Sequence, residues 1–170
     1  LGFAGASFVA AGGLSQLTQA ASADAAFYQL GNVGPLQAPD ANGIMLPVGF
    51  QSRVVARSGQ AAVSGSDYLW HASPDGGACF ATEDGGWIYV SNSEENFGNG
   101  GVGALRFNAD AELVASYPIC QNTSRNCAGG PTPWGTWLSC EEFAEGQVYE
   151  CDPSGNKPAQ LRAALGTFEH

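Results

Sequence analysis

The sequence predicts an all-β fold. Short apolar runs alternate with glycine-rich turns from about residue 74 onward, and the spacing between runs is even. Asp-Gly-Gly and Asn-Ala-Asp clusters interrupt the runs, and such residues favour tight turns. Strands at this spacing are typical of a sandwich, a barrel or a propeller, and the spacing alone does not distinguish these three architectures.

The elements follow in chain order. An alternating pattern at residues 44–58 predicts an early strand pair or an extended edge. Only residues 158–165 have a helical pattern, and it is brief. The strands expected between these two segments are residues 78–82, 87–92, 101–107, 112–118, 136–143 and 148–152.

Composition and charge exclude some functions. The chain has 170 residues, enough for one domain or for part of a larger one. Its net charge is −10, and its six basic residues form no cluster, which argues against a nucleic-acid-binding surface. An acidic balance suits the binding of divalent cations, although it also serves simple solubility.

The first 23 residues resemble an export signal. They carry no charge, they are rich in glycine and alanine, and residues 21–23 read Ala-Ser-Ala, the form of a signal-peptidase site. The apolar stretch is too short for a membrane span. We therefore expect a signal-peptide remnant of the twin-arginine type at 1–23, a mature domain at 24–170, and a periplasmic or extracellular location. The alternative is a buried N-terminal helix. Because the chain starts with Leu1, we expect an N-terminally truncated sequence.

Five cysteines are present, and none forms a Cys-x-x-Cys pair, so a zinc ribbon or a thioredoxin-like site has no support. An odd number in an exported protein suggests up to two disulfides and one free thiol. A four-residue hairpin loop at 144–147 would place Phe143 opposite Val148 and Cys140 opposite Cys151. That register predicts a Cys140–Cys151 disulfide.

Residues 126–142, N-C-A-G-G-P-T-P-W-G-T-W-L-S-C-E-E, are the stretch most suited to chemistry. They combine the Cys127 thiol with the carboxylates of Glu141 and Glu142, which are soft and hard metal ligands. Since side chains alternate along a strand, at most one of the two glutamates easily shares a site with Cys127. The alternative is an exposed glutamate pair beside a structural thiol.

Glu94 is a further candidate ligand. It follows an apolar strand that ends in amide and hydroxyl groups, and such a strand end can hold a hard cation, although it can equally be solvated. His71 near Asp75 is a weaker candidate, since a lone histidine is usually a packing residue. The sequence contains no nucleophile elbow, P-loop or dinucleotide fingerprint.

Three sequence blocks carry a resemblance to a known family: H-A-S-P-D-G-G-A at 71–78, W-I-Y-V-S-N-S-E at 87–94, and residues 126–142. Shorter blocks support them: G-G-V-G-A-L-R-F at 100–107, Y-E-C-D-P at 149–153 and L-G-T-F-E-H at 165–170. The resemblance extends from about residue 67 to the end. Together these blocks resemble the PhoX family of bacterial alkaline phosphatases.

The resemblance implies a six-bladed β-propeller, exported and monomeric at full length, that hydrolyses small phosphomonoesters with an iron–calcium cluster (Fe3+ and Ca2+). Cys127 matches the family's cysteine ligand to ferric iron. Carboxylate ligands are carried over onto Glu142 or Glu141 and onto Glu94, whereas no other catalytic residue is assigned.

A propeller of this kind uses about 40–50 residues per blade, so residues 24–170 suffice for about three blades. We therefore expect a partial propeller, the N-terminal part of a phosphatase domain that is inactive in isolation. Two alternatives remain. One is a secreted propeller that binds partners without catalysis, and the other is a calcium-dependent propeller hydrolase acting on lactones or phosphodiesters.

Overall fold

The computed structural model describes residues 33–169. The predicted signal segment, residues 1–23, lies outside the described residues. The chain divides into two compact units, Leu1–Arg53 and Val54–His170. The described part is all-β, as predicted. No helix within residues 33–169 is long and apolar enough to cross a membrane.

The described part of the first unit is organised by Asp40. Its carboxylate Oδ1 accepts hydrogen bonds from the amides of Asn42 (2.8 Å) and Ile44 (3.0 Å). This pattern is typical of an Asx turn. The strand pair predicted at 44–58 is not formed, because only Pro47 makes a bridge, to Leu36. Pro47 lacks a backbone donor, and Gly49 has a φ of 90°, so this stretch of the segment does not sustain a regular ladder.

The second unit contains two antiparallel sheets, each with its strands in sequence order. The first sheet consists of β1 (Pro74–Ala81), β2 (Trp87–Ser93), β3 (Gly100–Phe107) and β4 (Leu113–Thr123). The second consists of β5 (Asn126–Pro131), β6 (Trp137–Glu141), β7 (Val148–Cys151) and β8 (Gln160–Leu161), and a short 3-10 helix (Ala163–Leu165) follows.

All six strands expected between residues 78 and 152 are confirmed, and two strands were not predicted. β5 has the sequence Asn-Cys-Ala-Gly-Gly-Pro, whose glycines and proline indicate a loop. It nevertheless forms a ladder because Gly129 leaves room for the neighbouring strand. A Cβ atom at Gly129 would lie 1.9 Å from the Leu138 carbonyl oxygen. Strand β8 has only two residues, too few for a periodic pattern.

The predicted Cys140–Cys151 disulfide is wrong. Cys140 lies opposite Val148, and Cys151 lies opposite Trp137, so the register differs by three residues from the expected one. All five cysteines are free thiols. The shift arises because β6 ends at Glu141 and Phe143 belongs to the turn, where its carbonyl accepts a 2.7 Å hydrogen bond from the Gly146 amide. An odd shift places the two cysteines on opposite faces of the sheet.

The main core of this unit draws on both sheets. Apolar side chains from β2, β3 and β4 pack with side chains from β6 and β7, so the two sheets share one buried cluster. Val90, Ala104 and Cys151 in this cluster are completely buried, so the interface between the two sheets is closely packed. The cluster consists of Ile88, Val90, Val102, Ala104, Ile119, Cys120, Trp137 and Cys151.

Candidate metal centre

A β-bulge at the start of β1 presents Asp75. Pro74 pairs with Ser93 and Gly77 pairs with Ser91, so β1 contains one more residue than β2 over this interval. An extra residue bends a strand and redirects its side chains, and bulges are frequent next to functional sites. The bulge places the exposed Asp75 carboxylate at the end of the first sheet.

A second bulge, at the start of β5, presents Cys127. Asn126 pairs with Glu141 and Gly129 pairs with Ser139, which again leaves one extra residue. Cys127 lies in this interval and is half-buried. The two bulges therefore place a carboxylate and a thiol side by side. The Cys127 Sγ lies 3.6 Å from Asp75 Oδ2 and donates a hydrogen bond to it.

Gly76 permits this approach. A Cβ atom at position 76 would lie 2.6 Å from the Cys127 carbonyl oxygen and 3.2 Å from the Ala128 Cα. Both are backbone atoms, which cannot rotate away. The bulge of β1 can therefore contact the bulge of β5 only because residue 76 has no side chain.

The Gly76→Ala substitution is expected to lower the free energy of unfolding by about 2 kcal/mol, because the new methyl group overpacks the junction of the two bulges. Gly130→Ala on the neighbouring strand β5 is the matched control, since a Cβ atom there meets nothing within 4 Å. It should change stability by less than about 0.5 kcal/mol. Chemical denaturation of both variants measures the difference, and equal stabilities would contradict this account of Gly76.

Glu94 is delivered by the end of β2. Its amide donates a 2.9 Å hydrogen bond to the Ser73 carbonyl. The loop that follows is tied to the start of the second sheet, because the Arg125 amide donates to the Glu95 carbonyl (2.7 Å). The backbone around Glu94 is thus fixed on both sides.

The side chains presented by the two bulges and by the end of β2 lie close together. Asp75, Glu94 and Cys127 each offer a ligand atom, and these atoms lie within 4.8 Å of one another. Glu142 lies close to them, since its carboxyl is the main cause of the raised pKa of Glu94 and its charge also contributes to the raised pKa of Cys127. Arg125 is the basic residue beside this group, and its Nη2 lies 3.6 Å from Glu142 Oε2. We call Asp75, Glu94, Cys127 and Glu142 the bulge cluster.

The electrostatics of the bulge cluster favour a cation. Desolvation, together with the negative charges of Asp75 and Glu142, raises the pKa of the Cys127 thiol to about 11. The hydrogen bond with Glu142, aided by desolvation and by the charge of that residue, raises the pKa of Glu94. Both shifts disfavour the charged forms. A positive ion would remove the repulsion, and the cluster combines a sulfur, which suits a softer transition metal, with carboxylate oxygens, which suit a hard cation.

Glu141 lies away from the bulge cluster. It is buried, and its Oε1 accepts from the Ser124 amide (2.7 Å) while its Oε2 accepts from the Gln147 amide (3.1 Å). These bonds hold the connection before β5 and the loop before β7. Of the four candidate ligands in the sequence, the structure therefore brings together Cys127, Glu94 and Glu142.

Asn92 supports the Cys127 bulge from beneath. Its side chain is fully buried, and its Nδ2 donates to the carbonyls of Cys127 (2.7 Å) and Ala128 (3.0 Å). A bulge interrupts the ladder, so these carbonyls need a partner from outside the sheet. The Asn92 Oδ1 in turn accepts from Trp137 Nε1 (2.9 Å) and Ser139 Oγ (2.8 Å).

Sequence reasoning missed Asp75, Asn92 and Arg125 as parts of this site. It associated Asp75 with His71, but His71 lies instead between Tyr68 Oη (3.1 Å from Nδ1) and Ser91 Oγ (3.2 Å from Nε2). A usable signal was the position of Asp75 before two glycines, since that pattern is compatible with a bulge as well as with a turn.

Comparison with known proteins gives one family. Residues 98–170 match the family model described as alkaline phosphatase PhoX. No match was found among curated proteins or among solved structures. The matched region includes Cys127 and Glu142 of the bulge cluster, together with Arg125. The resemblance to the PhoX family noted in the sequence is thereby confirmed over residues 98–170, which match the alkaline phosphatase PhoX family model.

Proposed function

We propose that the bulge cluster is part of the metal centre of a secreted phosphomonoesterase of the PhoX type. The observation that carries this proposal is the convergence of Asp75, Glu94 and Cys127 within 4.8 Å, in a chain whose residues 98–170 match that family. The proposed substrate is a small organic phosphomonoester. The proposed location is the periplasm or the cell exterior.

The donor set fits an iron–calcium centre. Cys127 would supply a thiolate to ferric iron, and Glu94, Glu142 and Asp75 would supply oxygen ligands to iron or calcium. Bound metal ions would clamp the phosphoryl oxygens and neutralise the negative charge that develops during hydrolysis. Cys127 must release its thiol proton in order to bind, so the affinity for metal should increase with pH.

Two residues prepare the site. Asn92 fixes the backbone carbonyls of Cys127 and Ala128, and therefore the position from which the thiol projects. Arg125 pairs with Glu142, which lowers the repulsion between Glu142 and Glu94. Such preorganisation matters because ligands that are already in place need not be ordered when the metal binds.

We further propose that the two sheets are consecutive blades of a partial propeller. Each sheet is a four-stranded antiparallel meander, which is the architecture of a propeller blade. The first strands of the two sheets, β1 and β5, contact each other. In a propeller the first strand of every blade lines the central channel, and the bulge cluster would then lie at one end of that channel.

The proposal is tested by hydrolysis of p-nitrophenyl phosphate in the protein that carries this chain, supplied with iron and calcium. The Cys127→Ser variant should lose at least about 100-fold in kcat/KM, because a hydroxyl is a poor replacement for a thiolate ligand. The matched control is Cys79→Ser, since Cys79 is exposed and lies outside the bulge cluster. It should keep activity within about twofold. Equal activity in the two variants would contradict the role of Cys127.

A further inference from the structure

Two cysteines meet at the seam between the sheets. Cys120 lies on β4, opposite Val102 of β3, and Cys151 lies on β7, opposite Trp137 of β6. Strands β4 and β7 belong to different sheets but contact each other. Both cysteine side chains are buried in the shared core cluster, and Cys151 is completely inaccessible.

The two thiols are neighbours within the shared core cluster, on strands β4 and β7 that contact each other. Their mutual interaction is the main reason why the pKa of Cys120 is lowered and that of Cys151 is raised, and the Cys151 Sγ also donates a 3.8 Å hydrogen bond to the Tyr149 carbonyl. Cys140 and Cys127 have other surroundings. Cys140 lies opposite Val148, and Cys127 is beside Asp75.

The seam around the pair is well fixed. The Tyr117 hydroxyl, on β4, donates a 3.0 Å hydrogen bond to the carbonyl of Pro153, just after β7. A Cβ atom at Gly155 would lie 3.0 Å from the Tyr117 ring, so the turn after β7 packs closely against that ring. These contacts hold β4 and β7 at a constant separation on the side of the two cysteines.

We propose that Cys120 and Cys151 form a disulfide that links the two sheets when the protein matures in an oxidising compartment. The Sγ–Sγ bond forms as both S–H bonds break. The two protons and two electrons pass to the disulfide of a thiol-oxidising protein or of oxidised glutathione, which becomes two thiols. Because Cys151 is inaccessible in the folded protein, the exchange takes place during folding.

The crosslink would act on the part of the chain that carries the bulge cluster. It closes a covalent loop over residues 120–151, which contains both Cys127 and Glu142. A disulfide across a loop of this length restricts the unfolded chain and thereby favours the folded state. The pairing also leaves Cys127 as an unpaired thiol. This inference goes beyond the proposed phosphatase function and rests on it only for export to an oxidising compartment.

The direct test is peptide mapping of the full chain exported to the bacterial periplasm and purified without reductant. Free thiols are first blocked with N-ethylmaleimide in denaturant, and the digest is then analysed by mass spectrometry without reduction. The expected result is one linked pair of peptides containing Cys120 and Cys151, lighter by two hydrogens than the separate peptides. Alkylation of both cysteines, or a link from either one to Cys140, would overturn the proposal.

Thermal unfolding provides a second measurement. Reduction with dithiothreitol should lower the Tm of the oxidised chain by about 10 °C, and Cys151→Ser should show the lower Tm with or without reductant. Cys140→Ser is the matched control, a buried cysteine on the adjacent strand β6, and its Tm should still fall on reduction. A wild-type Tm that does not respond to reductant would contradict the crosslink. Since neither measurement involves metal or substrate, failure of the phosphatase proposal would leave both results unaffected.

Discussion

Replacing Asn92 with alanine is expected to lower the free energy of unfolding by about 4 kcal/mol. The substitution removes both hydrogen bonds to the part-buried carbonyls of Cys127 and Ala128. It also removes the acceptor of Trp137 Nε1. Each buried polar group left unpaired costs about 1–3 kcal/mol, and the Asn92 side chain satisfies several such groups at once.

Urea unfolding measures this loss. Asn99→Ala is the matched control, because the Asn99 side chain is exposed and makes one local bond, to the Asn96 carbonyl (3.0 Å). Its effect should remain below about 0.5 kcal/mol. The affinity of the bulge cluster for metal should also fall in Asn92→Ala, since the Cys127 backbone loses its anchor. A stability loss below about 1 kcal/mol would show that the bulge does not need Asn92.

Acidification is expected to destabilise the fold through His71. Burial lowers the pKa of His71 to about 4, from an ordinary value of 6.5. Between these two values the unfolded chain binds the proton and the folded chain does not, so stability decreases as the pH falls. The contribution is complete above pH 6.5, and up to about 3 kcal/mol is lost by the time the pH has fallen below 4.

The measurement is the free energy of unfolding at several pH values between 7 and 4, for the wild type and for His71→Gln. Glutamine keeps a polar side chain beside Tyr68 and Ser91 but does not titrate in this range. Subtracting the two curves removes the contribution of the carboxylates, and the difference should decrease steadily toward low pH. Parallel curves would contradict the depressed pKa of His71, and so would an NMR titration with a midpoint near 6.5.

Much of the fold could be predicted from local patterns. Strands β2, β3 and β7 combine apolar runs with flanking turn residues, and both signals are local. Strand β5 could not be predicted in this way. Its glycines indicate a loop, and they are tolerated in a strand because neighbouring backbone approaches closely at Gly129. This close approach is a contact between two strands, and the local sequence around β5 gives no information about it.

The register between β6 and β7 also could not be predicted from the sequence. The choice between Phe143 and Cys140 as the partner of Val148 depends on where β6 ends, and a hairpin of either length is compatible with the same residues. The error had a large consequence, because it led to the wrong cysteine pair. The neighbour of Cys151 is Cys120 on the other sheet, a long-range contact between strands that are not consecutive.

The candidate site was only partly accessible to sequence reasoning. Cys127, Glu94 and Glu142 came from motifs and from a family resemblance, and the structure places them together. Asp75 required the bulge in β1, which is visible only in the pairing of Pro74 and Gly77 with β2. In the sequence, Asn92 is one of several polar residues near the end of a strand. Its role as a donor to the Cys127 and Ala128 carbonyls arises only because the bulge interrupts the ladder of β5.

The metal content of the protein that carries this chain is the measurement that tests the central claim most directly. Elemental analysis by mass spectrometry should find bound iron and calcium, with a visible charge-transfer band from the thiolate. Cys127→Ser should lose the iron and the band, whereas Cys79→Ser should keep both. Calcium without iron, no bound metal, or undiminished iron in Cys127→Ser would contradict the assignment of the bulge cluster as an iron–calcium centre.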